Sequence, residues 1–418
     1  MVHLIGSGLL GLWVIINFIG IGCLVFPFLM VGASFFSGKR KTKGLLMHPQ
    51  TSKTETDFAC VITAYKNLQI AVPAVEALLK QDYRNFFVYL VADDCLPSEV
   101  AQLHFPADKV RVLLPPDSLH SKVLSMRHAV AHYVRPHAFT VVFDADNLAQ
   151  VSFLTTLNSY VLSGYKVVQG RRVAKNLDTV YACADAMGEI YKNYIERYVP
   201  YLLGSSATIA GSGMAIETGL FTRFLYSPAI TNLLNLGRVV VAEDKMLQNA
   251  VLAENEVIAF ANDGLMYDEK ITTANQVKRQ RTRWLYAYFE NLPGSLSLIA
   301  NGLLRFNANK LIFGVFSFLP PLFLLLLGAV FMAMLNLVMG LPNLFWTQLA
   351  GISIFTGNIF WVLYLSNAPR KIWESLWVLP FFVFNQMLAL FQIKRAKHSF
   401  MTTEHQQSVS IEEVTAKK

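Results

Sequence analysis

The chain has 418 residues, of which 54% are hydrophobic and 15% charged, and its mean hydropathy of +0.39 is high for a water-soluble protein. Its nine histidines and four cysteines show none of the spacings of zinc or redox sites, which argues against those classes of protein. The net charge of +8 is concentrated beside apolar segments and not on one folded face, so nucleic acid is not an expected partner.

The first predicted element is an apolar segment over residues 9–35, interrupted only by Asn17. It is longer than the roughly 20 residues that cross a bilayer, and it lacks the charged start of a signal peptide. We therefore predict an N-terminal transmembrane anchor over residues 1–38. The basic run "GKRKTKG" follows it directly, which places residue 39 onward in the cytoplasm, the N-terminus outside, and lysines near anionic membrane lipids.

Residues 39–293 are predicted to form a cytosolic domain of alternating strands and helices. The predicted strands cover residues 57–65, 85–94, 109–115 and 138–146. The predicted helices between and after them cover residues 70–81, 98–105 and 121–133. Apolar strands that alternate with helices predict an α/β fold with a mostly parallel sheet. In such sheets, ligands bind at the carboxyl ends of the strands.

Polar residues follow those strands at the predicted carboxyl ends: Tyr65, Asp93, Asp94, Asp144 and Asp146. On its own, the "DD" pair would be read as a turn or a helix cap. The "DAD" motif after a buried strand is a common way to present carboxylate oxygens to a hard divalent cation. Because both pairs are predicted at one sheet edge, we favour a ligand site.

Three later segments each allow two interpretations. The small residues of "GSSATIAGSGMAI" (204–216) suit close approach by a ligand or a structural loop. Glu243 and Asp244 precede a predicted helix, where they are either caps or catalytic groups, and a strand is predicted after that helix. The basic segment "KRQRTRWLYAYF" (278–289) suits either a membrane surface or a bound diphosphate.

Taken in order, "ITAYKN", "ADDC", "DADN", "GSGM", "AED" and "QRTRW" resemble the motifs of family 2 glycosyltransferases of GT-A fold. The resemblance is to their membrane-embedded branch, which includes cellulose, hyaluronan and poly-N-acetylglucosamine synthases. It is close over residues 57–290 and extends to the flanking spans in general plan. It implies a Rossmann-like GT-A domain with transmembrane helices.

The resemblance also implies residue roles. Contacts to the nucleotide-sugar are implied for Tyr65, Asp93, Asp94, Lys122 and Asp144. Binding of Mg²⁺ or Mn²⁺ is implied for Asp144 and Asp146. Asp244 resembles the general base of the family, and Glu243 beside it completes the implied catalytic pair. Contacts to the acceptor and the diphosphate are implied for Gln280, Arg283 and Trp284.

The implied activity is an inverting β-glycosyltransferase at the cell (inner or plasma) membrane. By resemblance, UDP-N-acetylglucosamine or UDP-glucose is the donor and a growing polysaccharide the acceptor, with possible export of the product. The alternative is a non-processive enzyme that glycosylates a lipid. A third interpretation, a non-catalytic sugar-nucleotide sensor, is disfavoured because binding alone needs no base.

The C-terminal part is predicted to contain an interfacial helix over residues 294–308 and transmembrane helices within 309–395, namely 311–338, 344–366 and 372–393. A polar, mobile tail over residues 396–418 is expected to follow. Three spans would put this tail outside, whereas the basic "KRAKHS" favours the cytoplasm, so the last block is either re-entrant or an exception to the charge rule. A translocation channel needs enough helices, and this chain has about four predicted spans. A homo-oligomer or an accessory export subunit is therefore a possible partner.

Overall fold

The computed structural model describes residues 2–37, 54–378, 383, 387 and 409–416. The predicted basic loop at residues 39–43 lies outside these residues, as does "KRAKHS". Most of the predicted third C-terminal span also lies outside them.

Within the described residues, eight strands form one sheet in the order β3-β2-β1-β4-β7-β6-β8-β5. They are β1 (Phe58–Tyr65), β2 (Phe86–Asp93), β3 (Val110–Leu113), β4 (Phe139–Asp144), β5 (Leu148–Ala149), β6 (Val167–Ala174), β7 (Met214–Glu217) and β8 (Ile258–Asp268). The four predicted strands agree with β1 to β4 to within two residues at each end.

The helices alternate with these strands and then continue without further strands. In the first part they are α1 (Val2–Phe36), α2 (Val72–Leu79), α3 (Pro97–Ala101), α4 (Lys122–Ala131), α5 (Phe153–Leu162), α6 (Val180–Lys192), α7 (Val199–Leu202), α8 (Thr218–Leu225), α9 (Pro228–Asn235) and α10 (Glu243–Ala253). Those that follow are α11 (Ala274–Leu304), α12 (Ala308–Phe318), α13 (Leu322–Val338), α14 (Pro342–Leu365), α15 (Arg370–Glu374) and α16 (Ile411–Ala416). Between α6 and α7 the chain continues as a π-helix, Asn193–Tyr198.

The sheet is mostly parallel, as predicted, with two short antiparallel strands. Strands β1, β2, β3 and β4 pair in parallel, and so do β6 and β8. Strand β7 runs antiparallel to β4 and β6, and β5 runs antiparallel to β8. The sequence did not indicate β7 because its four residues follow a glycine-rich segment and are too few to show alternation.

Helices cover both faces of the parallel half of the sheet. Along β1, Cys60 and Ile62 belong to a buried cluster with Leu78 of α2, whereas Val61 belongs to another with Ala129 of α4. This alternation follows from the two-residue period of a strand. Because both faces are covered, nearly every residue of β1 and β2 is buried, and the polar Tyr65 and Asp93 stand at their carboxyl ends.

Among the described residues, two helices, Gly8–Phe36 and Pro342–Leu365, are long and apolar enough to cross a membrane. Helices α12 and α13 would add a third crossing if they form one span, but they are bent by 71° relative to each other. The span predicted over 311–338 therefore consists of two helices with a break between them. The break coincides with Pro320 and Pro321, which lack backbone N–H groups and disfavour helix at the residue before them.

Helix α11 is continuous over 31 residues despite Pro293 inside it. The predicted boundary between the cytosolic domain and the interfacial helix at residue 294 lies within this helix. Pro293 costs α11 one backbone hydrogen bond, and the helix packs along its length against α10 and α12. The QRTRW motif and the apolar stretch after it therefore belong to one rigid element.

Hydrogen bonds join the apolar helices α1 and α13. The indole Nε1–H of Trp13 donates to Asn336 Oδ1 at 2.8 Å, and Asn336 Nδ2 donates to Asn17 Oδ1 at 2.7 Å. Both asparagines are fully buried. Polar side chains on apolar helices are stabilised by pairing across the helix interface, which accounts for the polar residue in the first apolar segment.

The described part of the C-terminal tail is not free, which corrects the expectation of a mobile tail for residues 409–416. Ile411 and Val414 of α16 are buried against Leu148 of β5 and Tyr267 of β8. Lys80 at the end of α2 forms an ion pair with Glu412 at 2.7 Å. The polar composition of the tail did not predict this contact, because only two apolar residues, Ile411 and Val414, are needed to pack one turn of helix against the domain.

We predict that Gly213→Ala destabilises the fold by about 2 kcal/mol. Gly213 has φ +62°, and an added Cβ would lie 2.7 Å from the sulfur of Met266. Gly188→Ala is the control, since Gly188 lies in α6 with no atom within 4 Å of an added Cβ. Thermal unfolding in detergent should show a lower Tm for Gly213→Ala and an unchanged or higher Tm for Gly188→Ala. Equal Tm values for the two variants would contradict the assignment of strain to Gly213.

Candidate active site

The carboxyl ends of β1, β2 and β4 open into a cavity of about 800 Å³. Tyr65 is paired with Asp93 across β1 and β2, and Thr63 with Asp144 across β1 and β4, so the strand ends meet at one edge as predicted. The predicted site residues that line the cavity are Tyr65, Asp93, Lys122, Asp144, Asp146, Glu243, Asp244, Gln280, Arg283 and Trp284. Asp94 lies outside it.

Lys122 and Asp144 form an ion pair in the cavity. Lys122 is the first residue of α4, where Ser121 caps the helix by accepting a hydrogen bond from Leu124 N–H at 3.4 Å. The ammonium group also donates to the carbonyl oxygen of Gly211 at 2.9 Å. Burial opposes ionisation of Asp144, but attraction to Lys122 outweighs it and lowers the pKa of the carboxyl to about 2. Both groups are therefore charged at neutral pH.

The Asp146 carboxylate is held by backbone and side-chain donors. Its Oδ2 accepts from the backbone N–H of Glu269 at 2.8 Å, and its Oδ1 accepts from Asn147 Nδ2 at 3.4 Å. Asn147 Oδ1 in turn accepts from the backbone N–H of Asp144 at 2.9 Å. The DADN turn is thus tied internally by its asparagine and externally to the segment after β8.

Asp144 and Asp146 fit a divalent metal ion whose remaining ligands come from a substrate and water. In the part of the chain that the structure describes, no group of three or more His, Cys, Asp or Glu side chains is arranged to hold a metal. Asp144 and Asp146 supply carboxylate oxygens at one end of the cavity. Mg²⁺ is commonly held by one or two carboxylates together with substrate phosphates and water, which matches two aspartates without a full protein cage.

The two aspartates of "ADDC" have different positions. Asp93 is buried, and its Oδ1 accepts from the backbone N–H of Leu119 at 2.7 Å. Asp94 has φ +57° and faces outward, with its carboxylate 3.5 Å from the ammonium group of Lys66. Tyr65 shares a hydrogen bond of 2.9 Å with His120 Nδ1. The structure therefore brings Tyr65 and Asp93 into the site and leaves Asp94 in the turn role.

Glu243 and Asp244 lie in the first turn of α10. Burial and the adjacent Asp244 carboxylate raise the pKa of Glu243 to about 7, against the opposing influence of Lys122 and Arg283. Asp244 Oδ1 accepts a hydrogen bond from the backbone N–H of Lys245 at 2.7 Å. Asp244 therefore accepts a backbone hydrogen bond and lies beside the Glu243 carboxyl, which retains its proton near pH 7. Such a pair can supply one general base.

On α11, Gln280, Arg283 and Trp284 project into the cavity from one helix face, because their spacing is one turn. Lys192 and Arg281 both stand over the Trp284 ring, each 4.2 Å from its centroid. Such cation–π contacts orient the indole and keep positive charge at the cavity wall. Burial lowers the pKa of Lys192 to about 8, and Arg281 adds to this lowering.

Sequence reasoning missed the contribution of α6. Asp185, Glu189 and Lys192 lie on this helix and line the cavity. Asp185 pairs with Arg281 of α11 at 2.5 Å, and Glu189 pairs with Arg197 at 2.7 Å. Charged residues at positions i, i+4 and i+7 of an otherwise apolar helix were the available signal.

Strands β6 and β8 complete the buried charge network behind the cavity. Lys270 pairs with Asp268 at 2.9 Å and with Glu189 of α6 at 3.7 Å. Arg172 of β6 pairs with the same Asp268. Removing one member of such a network leaves a buried charge without its partner, which is strongly destabilising. The network therefore fixes α6 relative to the sheet.

The cavity continues from these charged residues into the apolar helices. Its deeper wall includes Pro320 and Pro321 at the break between α12 and α13. Other residues of that wall are Phe316, Leu322, Phe323, Leu325, Leu326, Phe355 and Ile359. The polar site and the helices long enough to cross a membrane thus share one cavity.

Residues 56–287 match the protein family described as "Glycosyltransferase like family 2". The chain belongs to this family. Its domain has a GT-A-like glycosyltransferase fold, and the protein is a transferase. Among curated protein sequences, none matches this chain.

Two solved structures show similarity to this chain. One is a mannosyltransferase, PcManGT from Pyrobaculum calidifontis, in complex with GDP-Man and Mn²⁺, with 13% identity and a TM-score of 0.45 over 82% of this chain and 99% of that chain. Residues 1–349 of S. aureus TarS give 11% identity and a TM-score of 0.41 over 84% of this chain and 93% of that chain.

We predict that Asp93→Asn weakens binding of the sugar nucleotide by roughly tenfold or more, because it removes a buried charged contact in the cavity. Asp94→Asn is the matched control, since Asp94 faces solvent, and it should bind within about twofold of wild type. Calorimetric titration with UDP in the presence of Mn²⁺ measures both. Similar losses in the two variants would show that the turn as a whole, and not the Asp93 carboxylate, is required.

We predict that Glu243→Gln changes the pH dependence of stability. Folded Glu243 keeps its proton up to about pH 7, whereas the unfolded chain releases it near the ordinary pKa of 4.5. Between these values the folded state binds more protons, so wild-type stability falls as the pH rises. The glutamine variant lacks this loss, and its Tm relative to wild type should be higher at pH 8 than at pH 4. A Tm difference that is independent of pH would contradict the raised pKa.

Proposed function

We propose that the protein is a membrane-bound inverting β-glycosyltransferase that transfers a sugar from a UDP-sugar to a hydroxyl group of an acceptor. One observation carries this proposal. A single cavity contains the DAD pair, Asp244 and the QRTRW residues, and it continues into the apolar helices. A nucleotide-sugar, a metal and an acceptor each then have a place in one site.

The donor is expected at the carboxyl edge of the sheet. Tyr65 and Asp93 would contact the nucleotide, with Lys122 close to the diphosphate. Asp144 and Asp146 would hold Mg²⁺ or Mn²⁺, which when bound would neutralise charge on the diphosphate. Arg283, whose charge acts on both Lys122 and Glu243, would stabilise the negative charge that develops on the departing UDP.

The transfer step needs one base. The acceptor oxygen forms a bond to the anomeric carbon as the bond from that carbon to the diphosphate oxygen breaks, and UDP takes the bonding electrons. Attack from the face opposite to UDP inverts the configuration. Asp244 accepts the proton of the attacking hydroxyl. Glu243 supports this role, because its own proton limits the repulsion that a second carboxylate would exert.

The membrane placement rests on α1, α14 and the bent pair α12–α13. With the catalytic domain in the cytoplasm, α1 anchors it and the C-terminal helices cross the cell membrane and contact its lipids. The contact between Ile411 and the catalytic domain would place residue 411 in the cytoplasm as well. This placement would require an even number of crossings between α11 and α16.

A growing polysaccharide is the first candidate acceptor, with UDP-N-acetylglucosamine or UDP-glucose as donor and export as a possible coupled step. The order of the motifs supports it, and so does a cavity of about 800 Å³ that connects the site with the membrane helices. Since the described helices provide at most three crossings, export would call for a homo-oligomer or an accessory export subunit.

A lipid acceptor is the second candidate, and the lining of the deep end of the cavity favours it. Apart from Ser317, the lining side chains from Phe316 on α12 to Ile359 on α14 are aliphatic or aromatic. Such a surface suits an acyl or isoprenoid chain better than the hydroxyl groups of a glycan. The hydroxyl end of the lipid would then lie at Trp284 and Asp244.

We predict that Asp244→Asn lowers kcat for sugar transfer by about 10² to 10⁴-fold and leaves metal-dependent UDP binding nearly unchanged. Asp108→Asn is the matched control, because Asp108 is an exposed surface residue. The assay uses membranes with radiolabelled UDP-sugars and Mn²⁺. Full activity of Asp244→Asn would reject Asp244 as the base.

The same assay identifies the acceptor when the labelled product is sized. A large polymer made by wild type and not by Asp244→Asn would establish the polysaccharide. A single sugar on an extractable lipid would establish the second candidate. No transfer from any UDP-sugar, even though UDP binds with Mn²⁺, would reject the proposed reaction for this chain alone.

A further inference from the structure

Helix α16 makes a specific apolar contact with the catalytic domain, far along the chain from the site residues. Ile411 and Val414 are each 4% exposed, one turn apart on the inner face of the helix. They form a buried cluster with Ala77 of α2, Leu148 of β5 and Tyr267 of β8. The remaining residues of the helix, including Glu413, face solvent.

Both sheet residues under α16 lead directly to the Asp146 carboxylate. Leu148 follows Asp146 by two residues, and it is paired with Tyr267 in the antiparallel β5–β8 ladder. Tyr267 precedes Glu269 by two residues, and the backbone N–H of Glu269 donates to Asp146 Oδ2 at 2.8 Å. Helix α16 therefore covers the ladder that sets the distance between Asp146 and its donor.

This ladder is short and lies at the edge of the sheet. Strand β5 has two residues, and it ends the strand order next to β8. A two-residue edge strand has few hydrogen bonds of its own and depends on packing to stay in place. The β5 residue Leu148 is 1% exposed, in a cluster that includes Ile411 and Val414.

We propose that α16 is a positioning element for metal and diphosphate binding, an inference that rests on the proposed function. Ile411 and Val414 are positioning residues: they contribute no side chain to the cavity and act through Leu148 and Tyr267. When α16 is docked, the β5–β8 ladder holds the Asp146 carboxylate against Glu269 N–H. When α16 is detached, the carboxylate loses its fixed position, and binding of the metal with the sugar nucleotide weakens.

The position of α16 in the chain gives this contact a second consequence. The helix follows the apolar helices α13 and α14, so a segment beyond the membrane part closes back onto the DADN turn. The Lys80–Glu412 ion pair, with both side chains largely exposed, adds a contact that salt weakens. Metal affinity thus depends on whether the end of the described chain is seated on the catalytic domain.

The test uses the full-length protein in detergent with the double variant Ile411→Ala/Val414→Ala. The matched control is Glu413→Ala, on the exposed face of the same helix. We expect the double variant to require about tenfold more Mn²⁺ for half-maximal UDP binding, as found when a group supporting a metal ligand is removed. We expect KM for the donor to rise with Mn²⁺ limiting, and kcat at saturating Mn²⁺ and donor to stay within about twofold of wild type.

A conservative variant separates positioning from general damage. Ile411→Leu/Val414→Ile keeps the apolar contact and should restore the wild-type Mn²⁺ dependence. An unchanged Mn²⁺ dependence in the alanine variant would overturn the inference, and so would a fall in kcat with KM unaltered. If wild type itself shows no Mn²⁺-dependent UDP binding, the proposed function fails; if wild type binds and the alanine variant binds equally well, only the role of α16 fails.

Discussion

The ion pair between Lys122 and Asp144 joins the two parts of the site. Asp144 ends β4, and Lys122 begins α4 while also reaching the Gly211 carbonyl ahead of β7. Partial burial raises the pKa of the Asp144 carboxyl, and the adjacent ammonium group outweighs this and lowers the pKa to about 2, so the carboxylate is ionised at neutral pH. The charge of Lys122 also acts on Glu243. One cation therefore links the Asp144 side of the cavity to the Glu243 side.

The second support is the buried charge network behind the cavity. Through Glu189 and Lys270 it fixes α6 to the sheet, and through Asp185 it fixes Arg281 of α11. The π-helix that continues α6 packs against α1, α12 and α14 in one buried cluster. π-helical turns are often found at functional sites, because the extra residue redirects the side chains. The carboxyl edge of the sheet and the apolar helices are thus joined by packed and ion-paired residues.

The sequence predicted the first half of the sheet, and ten of its eleven predicted site residues line the cavity, for an identifiable reason. Strands β1, β2 and β4 are mostly apolar up to their carboxyl ends, so those ends could be located in the sequence, and parallel pairing must bring them together. The sequence-based prediction failed where a strand is too short to show a pattern, or where two neighbouring residues are identical. The four residues of β7 carry no period, the two residues of β5 carry none either, and Asp94 cannot be told from Asp93 by its neighbours.

The sequence by itself determined the family, the α/β order of the first strands, the apolar helices and the acidic and basic motifs, because each depends on residue type and local spacing. The tertiary structure decided which aspartate enters the cavity, how α6 supplies a charge network, that α11 passes through Pro293 unbroken, and that α16 returns to the DADN turn. These features depend on contacts between residues far apart in the chain, such as Ile411 with Leu148. Such contacts form only when the whole chain packs, so local spacing does not encode them.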